Sequence, residues 1–175
     1  MKKILGICGS TKSNSTNLTI IKTLQELAAG SADIILYDEL TALPFFNPDL
    51  DDDNPPSVVT RLRDAITGSD AIIITTPEYV FSLPGVLKNA IEWTVSTRVF
   101  ADKPVAIITA SSLGEKAHES LQLIMKTIEA KVDESATLLL QGAKSKIGKN
   151  EKPDAETLEK LSSLLQALIN QVKTT

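Results

Sequence analysis

Five short apolar runs recur along the chain, and longer amphipathic stretches separate them. The runs are rich in Ile, Val and Leu and show little polar alternation, which is typical of strands buried on both faces of a parallel sheet. They predict five strands, over residues 3–8, 33–37, 71–75, 105–110 and 137–140. No stretch between them has the composition of an interdomain linker, so we expect one domain over residues 1–175.

Each longer stretch carries apolar residues three and four positions apart, which is the spacing of one helix face. These apolar faces begin at Leu18, Val58, Leu83, Ala117 and Leu158. Alternating strands and helices predict right-handed crossovers and a three-layer α/β sandwich. A set of five strands in a chain of 175 residues favours the flavodoxin-like strand order 2-1-3-4-5 over a six-stranded dinucleotide-binding fold.

The composition is that of an ordinary soluble globular protein, with 42% hydrophobic and 23% charged residues. A net charge of −4 favours neither nucleic acid nor an anionic membrane surface as a partner. Residues 1–6 lack the apolar region of a signal peptide, and no apolar run reaches the length of a membrane span. The single cysteine, Cys8, excludes an intramolecular disulfide or a cysteine-rich metal site and fits a reducing, cytoplasmic compartment.

The loop after the first strand, residues 9–17, has the composition of an anion-binding loop. A helix N-terminus supplies unpaired N–H groups and the positive end of the helix dipole, and both favour a phosphate. Lys12 adds a positive charge, and further donors are Ser10, Ser13, Ser15, Thr16 and Asn17. The alternative is that these hydroxyl groups only cap the helix. Because the loop lacks the glycine spacing of dinucleotide and triphosphate sites, a mononucleotide is the better-fitting ligand.

The loop after the third strand, residues 77–84, is suited to a flat ligand. Pro77 disfavours helix at the residue before it, so the loop can present backbone N–H groups beyond the sheet edge. Tyr79 and Phe81 can supply flat apolar contact, and the chain has only seven aromatic residues in all. Ser82 is the predicted N-cap of the next helix, with Pro84 in its first turn. The alternative is that both aromatics belong to the core or to an interface.

Three further segments lie outside the regular pattern. A loop after the fourth strand, residues 110–114, could close over the ligand, or its serines could only cap the helix that follows. Residues 41–54 form a long connection, which is either functional or a solvated excursion whose Phe45 and Phe46 pack into the core. Residues 141–153 are polar and basic.

Two motifs in these loops resemble those of the NAD(P)H-dependent FMN reductases, a family that includes quinone, chromate and azo reductases. Residues 9–17 read GSTKSNSTN and resemble the family pattern GS-x-[RK]-x-x-S-x-N after the first strand. Residues 77–93 read PEYVFSLPGVLKNAIEW and resemble the longer pattern PEY-x-x-S-x-PG-x-LKNAI-[DE]-W. Residues 43–50, LPFFNPDL, resemble the family's loop after the second strand.

The resemblance implies an FMN site at the sheet edge. The FMN phosphate would be held by Ser10, Lys12, Ser15, Thr16 and Asn17. The isoalloxazine would be held, mainly by backbone, by Pro77, Glu78, Tyr79 and Val80, and Ser111, Ser112 and Gly114 would lie near the ring or the ribityl chain. The sequence departs from the pattern at Lys12, where Arg is usual, and at Val80, where Asn is usual. Glu115 stands where it could repel the phosphates of a nicotinamide nucleotide, so the choice between NADPH and NADH stays open.

The resemblance also implies a hydride transfer from NAD(P)H through bound FMN to a quinone, free flavin or similar small acceptor, in a ping-pong sequence. FMN performs this chemistry, so no catalytic side chain and no metal ion is expected. His118 is assigned to the surface and Cys8 to a core strand. The family further implies a homodimer or homotetramer, with the helix that ends near Trp93 as the predicted interface. Two alternatives remain: a flavodoxin-like electron carrier without an NAD(P)H site, and a flavin-free phosphate-binding domain.

Overall fold

The computed structural model of the protein describes residues 1–147 and 152–172. A five-stranded sheet, in which all the pairings are parallel, has the order β2-β1-β3-β4-β5. The strands are β1 (Lys2–Cys8), β2 (Ala32–Tyr37), β3 (Ala71–Thr76), β4 (Val105–Ser111) and β5 (Thr137–Gln141). The predicted strand order is therefore confirmed, and each predicted strand differs from the observed one only by a residue at its ends.

Helices cover both faces of the sheet, as the three-layer prediction requires. They are α1 (Thr16–Leu27), α2 (Ser57–Thr67), α3 (Gly85–Glu92), α4 (Glu115–Thr127), the single turn α5 (Ala143–Lys146) and α6 (Ala155–Gln171). The buried residues of α1, α5 and α6 belong to the core cluster on one face, and those of α2, α3 and α4 belong to the cluster on the other. Within the described part of the chain, no helix is both long enough and apolar enough to cross a bilayer.

The central strands supply side chains to both core clusters. Ile73 packs on the face of α1 and α6, whereas its neighbours Ile72 and Ile74 pack on the opposite face. All three side chains are fully buried, and each buried isoleucine contributes roughly 2 kcal/mol of apolar burial. This double burial explains why β3 reads as an unbroken apolar run instead of an alternating one.

The long connection between β2 and α2 is fastened to α3. The Asn89 side chain donates to the Pro44 carbonyl at 2.9 Å and accepts the Phe46 N–H at 2.7 Å, and Trp93 Nε1 also donates to the Pro44 carbonyl at 2.8 Å. The Phe46 ring meets the Trp93 indole edge to face at 5.1 Å. If this connection were only a solvated excursion, both Phe45 and Phe46 would pack into the core. Phe46 does pack inward, but Phe45 projects into solvent at 91% exposure.

The fourth helix holds the chain's lone histidine, which is half-buried and not the surface residue that the sequence suggests. Its Nδ1 lies 2.9 Å from the Thr109 hydroxyl, and its Nε2 lies 3.3 Å from Gln122 Nε2. Burial lowers the pKa of His118 below its ordinary value of 6.5, and the nearby Glu119 carboxylate opposes part of that effect. The imidazole therefore resists protonation in the folded protein.

We expect His118 to make the folded state less stable as the pH falls below 6.5. Above that pH the imidazole is neutral in both states, whereas below it the unfolded chain takes up a proton more readily than the folded one. The His118→Gln variant should therefore lose less stability than the wild type between about pH 7 and about pH 5.5. Urea unfolding at both pH values measures this difference, and identical pH dependence in the two proteins would contradict the expectation.

Candidate functional site

A cleft of about 270 Å³ lies at the carboxyl edge of the sheet. It is formed by the loops that follow β1, β3 and β4 and by the turn after β5. Its lining residues are Ser10, Lys12, Asn14, Ser15, Thr16, Asn17, Pro77, Glu78, Tyr79, Ala110, Ser111, Ser112, Ala143 and Lys144. Three larger hollows lie elsewhere: two, of about 510 and 870 Å³, at the opposite, amino edge, and one, of about 490 Å³, between the start of β5 and α6. Ligands of open α/β sheets bind beyond the carboxyl ends of the strands, so the smaller cleft is the candidate site.

The N-terminus of α1 opens into this cleft. Ser15 is the N-cap, and its buried hydroxyl accepts the Leu18 N–H at 3.0 Å. Ser15 therefore performs the capping role that the sequence left as the alternative. The N–H groups of Thr16 and Asn17 have no acceptor within residues 1–147 and 152–172, so they remain available to an anion at the positive end of the helix.

Asn17 carries a buried polar atom without a hydrogen-bond partner among the described residues. The residue is 2% exposed, and its Nδ2 donates to the Ala110 carbonyl at 3.1 Å. Its Oδ1 accepts no hydrogen bond from residues 1–147 or 152–172, although buried acceptors are normally satisfied. Asn17 lines the cleft, so this oxygen offers an acceptor to a hydroxyl group of a bound ligand. The side chain fits a polyhydroxylated ligand next to the anion, whereas its backbone N–H suits the anion itself.

Glu78 joins two of the loops that form the cleft. Its Oε1 accepts the Gly114 N–H at 3.2 Å and its Oε2 accepts the Ala117 N–H at 3.0 Å, at the N-terminus of α4. The carboxylate thus caps a helix that begins 37 positions further along the chain, at Glu115. The sequence predicted that this residue would hold the isoalloxazine mainly through its backbone, because nothing in the local pattern links residue 78 to the fourth helix.

The tip of the β3 loop is a tight turn with unusual backbone angles. Tyr79 and Ser82 exchange two backbone hydrogen bonds of 3.0 Å, and Val80 and Phe81 between them have φ of +51° and +55°. The predicted capping role of Ser82 is wrong, because α3 begins only at Gly85 and Ser82 closes this turn instead. Left-handed angles at both central residues are those of a type I′ turn, in which Asn and Gly are preferred.

Val80 should be a source of strain, since a β-branched residue with positive φ costs about 1–2 kcal/mol. Its side chain is 95% exposed and makes no compensating contact in the core. We expect Val80→Asn to raise the free energy of unfolding by about 1 kcal/mol, measured by urea denaturation. Val95→Asn is the matched control, because Val95 is also exposed but has no positive φ. A Val80→Asn protein no more stable than the wild type would refute the strain.

Ten of the twelve predicted binding residues line the cleft, and Val80 and Gly114 do not. Val80 points into solvent, and Gly114 gives its N–H to Glu78 and begins α4 with φ of +92°. The sequence missed Asn14, Ala110, Ala143 and Lys144. The last two arrive on α5, which follows β5 and is tied to the β4 loop by a 3.1 Å bond from the Gly142 N–H to the Ser112 carbonyl.

The charges of the cleft favour an anion. Lys12 and Lys144 form no ion pair with any carboxylate in the described part of the chain. The only acidic residue in the lining, Glu78, has both oxygens occupied by backbone N–H groups. No group of three or more His, Cys, Asp and Glu residues suited to a metal ion occurs among residues 1–147 and 152–172. These features fit a ligand with an anionic end, hydroxyl groups and a flat ring, which are the parts of FMN.

Comparison with known proteins identifies relatives of the same kind. A family model described as NADPH-dependent FMN reductase matches residues 2–144. A subunit of an NADH:(hydroxy)cinnamate reductase from Vibrio ruber is 39% identical over 129 residues, covering 71% of this chain and 63% of the relative. An NAD(P)H-dependent FMN reductase from Pseudomonas aeruginosa is 38% identical over 112 residues, covering 63% and 60%. The matched stretch thus spans about three fifths of these relatives' own length.

Solved structures share the fold over nearly the whole chain. The flavoenzyme NAD(P)H:(acceptor) oxidoreductase FerB from Paracoccus denitrificans has a TM-score of 0.86 and 28% identity, covering 98% of this chain and 97% of its own. An NADH:FMN oxidoreductase solved in its apo form has a TM-score of 0.77 but only 18% identity, so that likeness concerns the fold alone. Both superpose on the parallel sheet that positions the cleft.

Proposed function

Because the chain belongs to the NADPH-dependent FMN reductase family, we propose that it is an FMN-dependent oxidoreductase that uses NAD(P)H to reduce a small acceptor. Quinones are the acceptor class that we favour, since relatives from Pseudomonas putida and Escherichia coli are named quinone reductases. The observation that carries the proposal is the cleft. A helix N-terminus lines it together with two lysines and a buried amide oxygen that have no ion pair or hydrogen bond with the described part of the chain. We further propose that residues 1–175 form a single domain and act in the cytoplasm.

The phosphate end of FMN belongs at α1 in this proposal. The free N–H groups of Thr16 and Asn17 belong to the first turn of α1, and Ser10 and Lys12, in the loop just before it, line the same cleft. Asn17 Oδ1 is then positioned to accept a hydroxyl of the ribityl chain. The Asn17 side chain is fixed by the fold before the ligand arrives, because it is buried and bonded to the Ala110 carbonyl near the end of β4.

The ring end belongs at the β3 and β4 loops. When bound, FMN supplies the chemistry, accepting a hydride from the reduced nicotinamide and passing electrons to the acceptor. Pro77, Glu78 and Tyr79 line the cleft and would border the ring, and the Tyr79 side chain is 54% exposed, so it could contact a flat ligand at the cleft mouth. The protein positions the ring, orients backbone dipoles toward it and excludes water. One nicotinamide-accessible face would bind donor and acceptor in turn, which is the basis of the proposed ping-pong sequence.

We also propose a homodimer or homotetramer. Phe45, Tyr79, Val80, Phe81 and Leu113 are large exposed apolar residues on three loops at the carboxyl edge of the sheet. Such a concentration of apolar surface at one edge is typical of an interaction site. Trp93, by contrast, is fully buried, so it does not supply the interface surface that the sequence suggested. Light scattering coupled to size exclusion tests the assembly, and a stable monomer would reject it.

Steady-state kinetics test the proposed activity. FMN-loaded protein should oxidise NADH or NADPH in the presence of a benzoquinone, and initial rates at several quinone concentrations should give parallel double-reciprocal lines. Intersecting lines would contradict the ping-pong sequence while leaving the reductase activity intact. No oxidation of either nucleotide by the flavin-loaded protein would reject the reductase and favour the electron carrier.

A further inference from the structure

A second lysine, more than 130 positions after Lys12 in the sequence, also lines the cleft. Lys144 lies in the first turn of α5 and lines the same cleft as Ser10, Lys12 and Thr16. It belongs to the basic segment after β5, which neither of the family-like motifs includes. Its position in the site therefore follows from the fold and not from a motif.

The face of the sheet on which α5 packs determines whether Lys144 lies near the phosphate end or the ring end of the cleft. Ala143 and Ile147 are buried in the core cluster that also holds Ile20, Ile21 and Leu24 of α1. The β3 loop, which borders the ring end, is linked to the opposite layer instead, because Leu83 and Leu87, which follow the β3 turn, are in the other cluster. Lys144 thus shares its layer with the N-terminus of α1, where the anion belongs.

The backbone around Lys144 is held in place by contacts on both sides. The Gly142 N–H donates to the Ser112 carbonyl at 3.1 Å, and the Ile147 N–H donates to the Ala143 carbonyl at 2.9 Å. Ala143 itself is 2% exposed, so the residue before Lys144 cannot move away without opening the core. The ammonium is flexible, but the point from which it extends is fixed.

Position, together with charge, distinguishes two of the lysines. Lys88, Lys116, Lys131 and Lys160 each form an ion pair, whereas lysines away from the cleft, such as Lys22 and Lys126, form none with a described carboxylate. Lys12 and Lys144 form none with the described carboxylates, although both line a cleft that is suited to an anion. A phosphate monoester carries a charge close to −2 at neutral pH, which one lysine does not balance and two do.

Resting on the proposed function, we propose that Lys144 binds the FMN phosphate together with Lys12 and makes the site select phosphorylated flavin over riboflavin. The two ammonium groups approach the phosphate from two loops, one after β1 and one after β5. Because a lysine acts as a point charge and not as a bidentate clamp, two lysines placed apart replace what a single arginine would supply.

Binding constants of FMN and riboflavin for three alanine variants test the assignment. We expect Lys144→Ala to weaken FMN about tenfold and to leave riboflavin within about twofold, because only FMN carries the phosphate. Lys144→Ala should also make FMN affinity less sensitive to added NaCl, since one ion contact is lost. Lys12→Ala should behave in the same way. Lys146→Ala is the matched control, because Lys146 lies on the same turn outside the lining and should change neither constant.

The possible results distinguish the role of Lys144 from the reductase function on which it rests. A Lys144→Ala variant that binds FMN as tightly as the wild type does would overturn the role of Lys144 and leave the reductase proposal standing. Equal weakening of FMN and riboflavin would overturn it as well, since that pattern reports a structural effect. Wild-type protein that binds neither flavin would overturn the proposed function itself. Circular dichroism of each variant confirms that it is folded.

Discussion

Replacing Ser10 with aspartate is expected to weaken FMN binding about 100-fold, which corresponds to about 3 kcal/mol. Ser10 lines the cleft and accepts the Lys12 N–H at 3.4 Å, so a carboxylate at this position would lie against the bound phosphate. Two negative charges a few ångströms apart in a partly enclosed site repel each other by several kcal/mol before screening. The carboxylate would also compete with the phosphate for the Lys12 ammonium.

Isothermal titration with FMN measures this loss, and two controls isolate its cause. Ser10→Asn introduces a side chain of nearly the same size as aspartate but without the charge. This variant should bind FMN within about tenfold of the wild type. Riboflavin, which lacks the phosphate, should lose much less affinity for Ser10→Asp than FMN does. Unchanged FMN affinity in a folded Ser10→Asp protein would show that the phosphate does not lie in this loop.

Removal of the Glu78 carboxylate should cause the largest loss of stability of any surface change at the site. Its two oxygens accept the N–H groups of Gly114 and Ala117 at the start of α4, where a negative charge also interacts favourably with the helix dipole. We expect Glu78→Ala to lower the free energy of unfolding by about 2–3 kcal/mol, because both N–H groups lose a charged acceptor. FMN affinity should fall too, since this carboxylate ties the β3 loop to the β4 loop.

Two further variants distinguish the capping role of Glu78 from a general effect of charge. Glu78→Gln keeps one acceptor oxygen and should lose roughly half as much stability as Glu78→Ala. Glu115→Gln removes a negative charge from the same first turn of α4, but Glu115 is exposed and accepts only the Gln141 side chain, so its loss should be small. Equal unfolding free energies for the wild type and Glu78→Ala would rule out the cap.

The fold was predictable because its signals are local. Ile72, Ile73 and Ile74 are buried on alternating faces, and a run of such residues reads as a central parallel strand without further information. The order of the strands follows from the alternation of strands with helices and from general rules of handedness. Local signals also located the start of α1, because a serine-rich turn before an amphipathic stretch commonly supplies the N-cap, and Ser15 is that cap.

The parts of the site that could not be predicted depend on contacts between distant residues. Glu78 reaches Gly114 across 36 positions, and no periodicity in the chain indicates that pairing. Lys144 enters the cleft only because α5 packs on the layer of α1. Val80 is a third case, since its left-handed backbone contradicts the preference of a β-branched residue and is imposed by the two bonds between Tyr79 and Ser82. Residue preferences therefore predicted Ser82 as the N-cap of α3, whereas Ser82 closes the turn with Tyr79 and α3 begins at Gly85.

An anaerobic absorbance titration of the FMN-loaded protein with NADH and then NADPH tests the central claim most directly. The structure and the family predict that the purified protein takes up FMN and that the flavin bands bleach as one of the two nucleotides is added. The titration also shows whether NADH or NADPH is the better donor, a preference that Glu115 at the start of α4 leaves open. Flavin bands that persist in excess of both nucleotides would contradict the account of this protein as an NAD(P)H-dependent FMN reductase.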